Sequence, residues 1–249
     1  MTSPLDRPDD ATDSPWMQPK FIVSAGVVAI VAVLGVLVAA LGPGSNDPQA
    51  PPTSAPPSTA AGSAPGSDSF CGLPGGDQVV PRVAPANTRW QLVGTMAAPT
   101  APSAHGPGSN TDGIPTCFAH SPTGALYAAA NFVATSSKPD AAELLVQVAA
   151  TGPGQDAARQ QAQETATDAR ADASAQLAGF NVVSYSASNA TVDLLYRGSS
   201  GNAAGYAHFL APLVWEDGTW KWSIPPSGNP YENTQAVPSP AGYVPWSGT

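Results

Sequence analysis

The chain has 249 residues, but Gly 24 and Pro 28 take a large share of them, more before residue 115 than after, and only 11% are charged. That composition leaves material for one dense domain of about 110–150 residues, in the second half. The formal charge of −9 comes from 18 acidic and 9 basic residues with no cluster of Lys or Arg, which argues against the basic face that direct nucleic-acid binding requires.

In chain order, residues 1–20 read as a cytoplasmic leader. Residues 21–41, FIVSAGVVAIVAVLGVLVAAL, carry no charge and a single hydroxyl. At 1.5 Å per residue such a helix reaches about 31 Å, the thickness of a bilayer core. A cleavable signal peptide is the competing reading, with VAA at 38–40 as the cleavage site. The apolar run is longer than a signal peptide's usual core and the leader is acidic, so an uncleaved transmembrane anchor is expected. Arg7 and Lys20 precede the span, and the next basic residue is Arg82. The amino terminus is therefore expected in the cytoplasm and residues 42–249 outside the cell membrane.

Residues 42–69 hold almost no large apolar side chain, so they are expected to form a disordered Pro/Ala/Ser linker. The two cysteines, Cys71 and Cys117, then fall on the exported side. A structural disulfide is the simplest reading of such a pair. A metal pair or a redox couple are the rivals, and neither CxxC spacing nor a nearby ligand set accompanies them. Residues 70–116 read as a loop-rich extension that this bridge would staple to the globular domain.

The globular domain is expected over 117–226. HSPTGALYAAANFVATSS at 120–137 starts a helix: Ser121 suits the N-cap and Pro122 the first helical position. Leu126, Ala129, Ala130 and Val133 share one face, and their small size implies an element packed close against it. Tyr127 and Phe132 flank that stripe as core or groove wall. A second helix is expected over 139–150, ended by Gly152, and a third, polar one over 155–177. The mixed charges of the third read as a solvated face rather than a catalytic pair.

From residue 179 the period becomes two. FNVVSYSAS, ATVDLLYRG and AGYAHFLAPLVWE read as strands, and WEDGTWKWSI as a hairpin turning at Asp217-Gly218 among Trp215, Trp220 and Trp222. Helices followed by an antiparallel meander predict an α+β domain in which a curved sheet wraps a long helix. The Pro-rich tail, 227–249, has Tyr231, Tyr243 and Trp246 as candidate tethers. His105, His120 and His208 have no metal-ligand spacing, and none of the common hydrolase, zinc-protease, P-loop or dinucleotide motifs is present. Asn189-Ala190-Thr191 fits a glycosylation sequon, a pattern frequent by chance. No cofactor, metal site or catalytic residue is expected from the sequence; a site assembled only by tertiary contact would leave no linear motif.

The layout, with FCGLPGGDQ, CFAHSPTGALYAAANF, the GF.V.SY strand and PLVWEDGTWKW, resembles an uncharacterised actinobacterial family of single-span membrane proteins associated with integrative conjugative elements and plasmids. The helix-then-meander order is also similar to nuclear transport factor 2-like (cystatin-like) folds, which occur in assembly subunits of type IV secretion channels. The resemblance implies a non-enzymatic, extracytoplasmic accessory component of a conjugative DNA-transfer apparatus. Its partners would be copies of itself or other membrane-anchored transfer proteins. Read from the helix stripe and the hairpin themselves, the packing or interaction candidates are Leu126, Tyr127, Phe132, Trp215, Trp220 and Trp222. The alternative is a ligand-binding or sensory domain using a pocket between sheet and helix, and an enzyme would need a buried acid–base pair in that pocket.

Overall fold

A computed structural model describes residues 71–164, 173–200 and 203–248. The expected leader 1–20, anchor 21–41 and linker 42–69 lie outside the described residues. Among the described residues no helix is long and apolar enough to cross a membrane. The elements run β1 (Arg89–Val93), β2 (Met96–Thr100), β3 (Ser109–Thr111), β4 (Ile114–Thr116), α1 (Pro122–Thr135), α2 (Ala141–Val148), α3 (Pro153–Glu164), β5 (Ala173–Tyr185), β6 (Asn189–Ser200), β7 (Ala203–Glu216), β8 (Thr219–Trp222), β9 (Gln235–Val237) and β10 (Val244–Pro245). The main sheet is antiparallel in the order β10-β5-β6-β7-β8, with β9 also paired to β7. Helices packed on a curved antiparallel sheet are thus the architecture. Two register shifts in β5, at Leu177/Gly179 and Val182/Ser184, supply bends of the kind bulges impose on long strands.

Helix α1 forms as its sequence dictates. Ser121 is extended (φ −151°, ψ 164°), its side chain accepts from the Gly124 amide at 3.0 Å, and Pro122 opens the first turn. Gly124 is required there, because a Cβ would lie 1.9 Å from the Ala119 carbonyl oxygen. Every residue of α1 except Thr123 is buried. The cause is that the helix has neighbours on two sides. One is the inner face of the sheet, built from Leu177, Phe180, Val192, Leu194, Phe209 and Trp222. The other is formed by hairpins β1–β2 and β3–β4, which contact α1 through β2 and β4. Alanines at 128, 129, 130 and 134 let both layers approach. Asn131, 1% exposed, donates its Nδ2 to Pro99 O of β2 and to Tyr127 O, each at 2.9 Å.

Three expectations change, and a fourth, the tail as a tether, is extended. Residues 70–116, read as a loop-rich extension, hold two hairpins whose Met96 and Ala98 belong to the main core. The second helix spans Ala141–Val148 rather than 139–150, because Ala149 leaves it to bridge Trp222 of β8 in parallel. The third helix begins at Pro153 and is described to Glu164; 165–172 lie outside the described residues, and 173–177 are strand. There Ala175 and Leu177 are buried and the run pairs with β6, so tertiary pairing overrides the helix propensity of an Ala-rich stretch. The Pro-rich tail supplies β9 and β10, with Tyr231 and Trp246 buried and Tyr243 half-buried.

Both edges of the sheet are occupied for much of their length. Along β5, the Gln176 side chain accepts from Ala97 N at 2.9 Å and donates to Thr95 O at 2.8 Å, joining the β1–β2 hairpin. Further along, β10 pairs at Gly179 and Phe180. On the far edge, Ala150 N donates to Trp222 O at 2.8 Å and Lys221 Nζ to Gln147 O at 3.2 Å. Covered and bulged edges of this kind resist strand addition.

Candidate functional site

The space between sheet and α1 is filled by side chains. Leu126, Tyr127 and Phe132 from the helix and Trp220 and Trp222 from β8 belong to one buried cluster, all 2% exposed or less. Phe132 stacks on Trp222 with centroids 6.2 Å apart, and Trp222 meets Phe209 and Tyr231 in turn. These five candidates are therefore core residues, while Trp215 is half-buried at the sheet's end. A shallow cleft of about 10 Å³ lies where Ser136, Leu145, Gln161 and Tyr231 meet, which is room for about one water.

At the end of the sheet near the start of α1, the four quoted motif segments converge. Cys71 and Cys117 are disulfide-bonded with Cα atoms 5.9 Å apart. Gln78, from GLPGGDQ, donates its Nε2 to His120 O at 2.8 Å and accepts at Oε1 from the Tyr185 hydroxyl at 2.7 Å. The His120 ring lies on Trp215, centroids 3.8 Å apart and planes 5° apart, and its Nε2 bonds Ala187 O in the β5–β6 turn. Trp220 donates its Nε1 to Ala119 O at 3.0 Å and meets Trp215 edge-on. Burial pushes the Tyr185 hydroxyl up to about 12, so it stays a neutral donor. His120 is 6% exposed. With its ring stacked and its Nε2 bonded, it joins loops rather than presenting a base. The half-buried faces of Trp215 and Tyr185 form the outward side of this knot.

A second cluster sits on the sheet's outer face. In β6 and β7 the inward residues are Val192, Leu194, Phe209 and Ala211, so Asp193 and His208 point the other way. Asp193 Oδ1 is 2.8 Å from His208 Nδ1, and its Oδ2 accepts from the Tyr243 hydroxyl at 3.0 Å. Burial, with Asp193's hydrogen bond and negative charge, holds the Tyr243 phenol well above its usual range. The carboxylate thus clamps an imidazole from β7 and a phenol from the tail. The pair has the carboxylate–imidazole half of a relay, but among the described residues no hydrogen bond joins His208 to a serine, threonine or cysteine. A charge-relay step needs that nucleophile.

The three histidines are not brought together: His105 packs on Tyr127 (centroids 5.3 Å) and burial lowers its pKa. Among the described residues no group of three or more His, Cys, Asp or Glu is placed to hold a metal ion. No motif in the sequence marks the Asp193–His208 contact. Its trace there is an acidic and a basic residue each interrupting an apolar strand at the outward parity. The register that sets them near each other, with Asp193 opposite Leu210 and His208 opposite Leu195, is a property of pairing alone.

A family model described as a domain of unknown function, DUF8175, matches residues 50–245. No curated protein and no solved structure matches the chain.

Proposed function

The chain belongs to the DUF8175 family, and on that premise we propose that it is a membrane-anchored, extracytoplasmic, non-catalytic interaction module. Its system is a conjugative DNA-transfer apparatus related to type IV secretion, and its fold is of the nuclear transport factor 2-like kind. Residues 21–41 localise it, residues 42–69 set its reach, and the domain binds copies of itself or other anchored transfer proteins through its surface.

One observation carries the reading. The concavity in which a sheet-and-helix domain would hold a small molecule is occupied by Tyr127, Phe132, Trp220 and Trp222. Ligand pockets are ordinarily clefts of several hundred Å³, far above the cleft found beside Tyr231. That favours recognition at the surface over a ligand-binding or sensory pocket. The Cys71–Cys117 bridge fits an oxidising, exported location.

The test is mild crosslinking of the full-length protein in cells, followed by mass spectrometry of what is recovered with it. Conjugation ATPases, other single-span transfer proteins or oligomers of the chain are expected. Recovery of the monomer alone would overturn the proposal and return attention to ligand screening.

A further inference from the structure

The tail encloses the sheet as a strap. β9 lies beside β7, whereas β10 lies beside β5 at the opposite edge, so residues 238–243 cross the sheet between them. They cross its outer face, because Tyr243 reaches Asp193 on β6 and lies over Gly179, where a Cβ would be 3.1 Å from Tyr243 Cβ. Leu195, on the same outer face, is fully buried. Past β10 the chain turns round the β5 edge, and Trp246 enters the core from the inner side. It seats against Trp90, Tyr127 and Phe180 with centroids 5.2, 5.3 and 5.5 Å away.

Three features distinguish this strap from an ordinary terminal strand. Its recognition elements are compact and portable: Tyr243 on one face and Trp246 on the other, three residues apart. Its polar hold is concentrated in a few residues. Beyond the two-residue pairing of β10 it has the Tyr243 hydroxyl on Asp193, Asn181 Nδ2 on Gly242 O (2.9 Å), and Trp246 N on Ala178 O (3.2 Å). The Trp246 indole N–H is buried without a partner among the described residues. The connection is exposed throughout, PSPAG at 238–242, with two prolines that favour extension and Gly242 at φ 90° making the final turn.

We propose that two copies of the chain associate by exchanging this strap, the Tyr243 and Trp246 of each closing the Asp193 clamp and the Trp90–Tyr127–Phe180 slot of the other. The contacts formed between copies are the same as those formed within one, so exchange gains association at the cost of straightening one short connection. Confinement to a membrane raises the effective concentration of neighbouring copies and favours the intermolecular form. This names the means of self-association within the proposed function and rests on its anchored, exported arrangement.

The test replaces Asn181, whose side chain meets Gly242 O at 2.9 Å, with p-benzoylphenylalanine in the full-length chain, photolysed in membranes and resolved by denaturing electrophoresis and mass spectrometry. This leaves Gly179, Tyr243 and Trp246 in place. A covalent dimer joining residue 181 of one copy to the 238–243 segment of the other is expected. A crosslink to that segment within a monomer, or none to it, overturns strap exchange. A second variant guards against misfolding of the first. Deleting residues 239–241 leaves a connection too short to recross the sheet in one copy, and dimer should come to dominate by crosslinking. Persistence of monomer overturns the proposal equally. Transfer proteins recovered with a wild-type chain that never exchanges would sink this inference and leave the proposed function standing.

Discussion

The imidazole of His120 lies flat on the indole of Trp215, 3.8 Å between centroids and 5° between planes. The two residues are almost a hundred positions apart, one just before α1 and the other near the end of β7. Their contact sits among four more links: Gln78 to His120, Tyr185 to Gln78, His120 to Ala187 and Trp220 to Ala119. Residues of four separate segments of the chain therefore meet in one place, and what they build there is a joint between layers.

If the stack couples the two segments, His120→Ala and Trp215→Ala should be non-additive. A double-mutant cycle by urea denaturation is expected to give a coupling of about 0.5–1.5 kcal/mol, the worth of an aromatic pair beyond burial. Additive losses would mean that each ring merely fills space.

The disulfide closes a loop spanning 46 positions and joins the exposed Cys71 to the buried Cys117. In the chain-entropy model, losing it costs roughly 4 kcal/mol. Cys71→Ser is expected to lower the thermal midpoint, with no further effect of reductant. An unchanged midpoint would show that Gln78 and the hairpins hold residues 71–80 without it.

The layering of α1 predicts the outcome of truncation. A chain beginning at residue 117 removes Met96, Ala98 and the Asn131–Pro99 contact, and uncovers a helix that is buried on nearly all sides. It should lack a cooperative unfolding transition, whereas a chain beginning at residue 70 should unfold cooperatively in calorimetry. A folded domain from 117 would place the hairpins outside the core after all.

What the sequence made legible was local. Ser121 and Pro122 announced the start of α1, Asp217-Gly218 announced the β7–β8 turn, and both positions carry the backbone those residues favour, with φ 54° and 74° in the turn. The close approach foretold by alanines in α1 is real, but its second source, the 89–116 hairpins, was hidden by their Pro and Gly content. Burial of Ala175 and Leu177 was equally hidden, since a run rich in Ala and Gln reads as helix until a partner strand claims it. The Asp193–His208–Tyr243 clamp depended on register and on the path of the tail, neither of which any local window contains.

Two half-buried titratable groups should contribute to the dependence of stability on pH. Burial lowers the pKa of His105, and its Nδ1 has no hydrogen-bond partner among the described residues. The unfolded chain then takes up this proton first as pH falls below about 6.5. The stability His105 contributes is complete above that value and is lost as pH drops toward its lowered folded pKa. Tyr185 is the mirror case. Its folded pKa is pushed up to about 12, so its contribution is complete below about 10 and is lost as pH rises from there toward 12. Urea midpoints measured from pH 5 to 7 should flatten in His105→Gln. Those from pH 9 to 11 should fall less steeply in Tyr185→Phe, which starts lower because Gln78 loses its donor; burial also pushes up the phenols of Tyr127, Tyr196, Tyr231 and Tyr243, and these carry the rest of the alkaline fall. Tyr185→Phe should leave the acid window unchanged, because Tyr185 bonds Gln78 while His105 packs on Tyr127. A parallel shift of both windows by either variant would mean that pH acts through the whole charge of the protein rather than through these two sites.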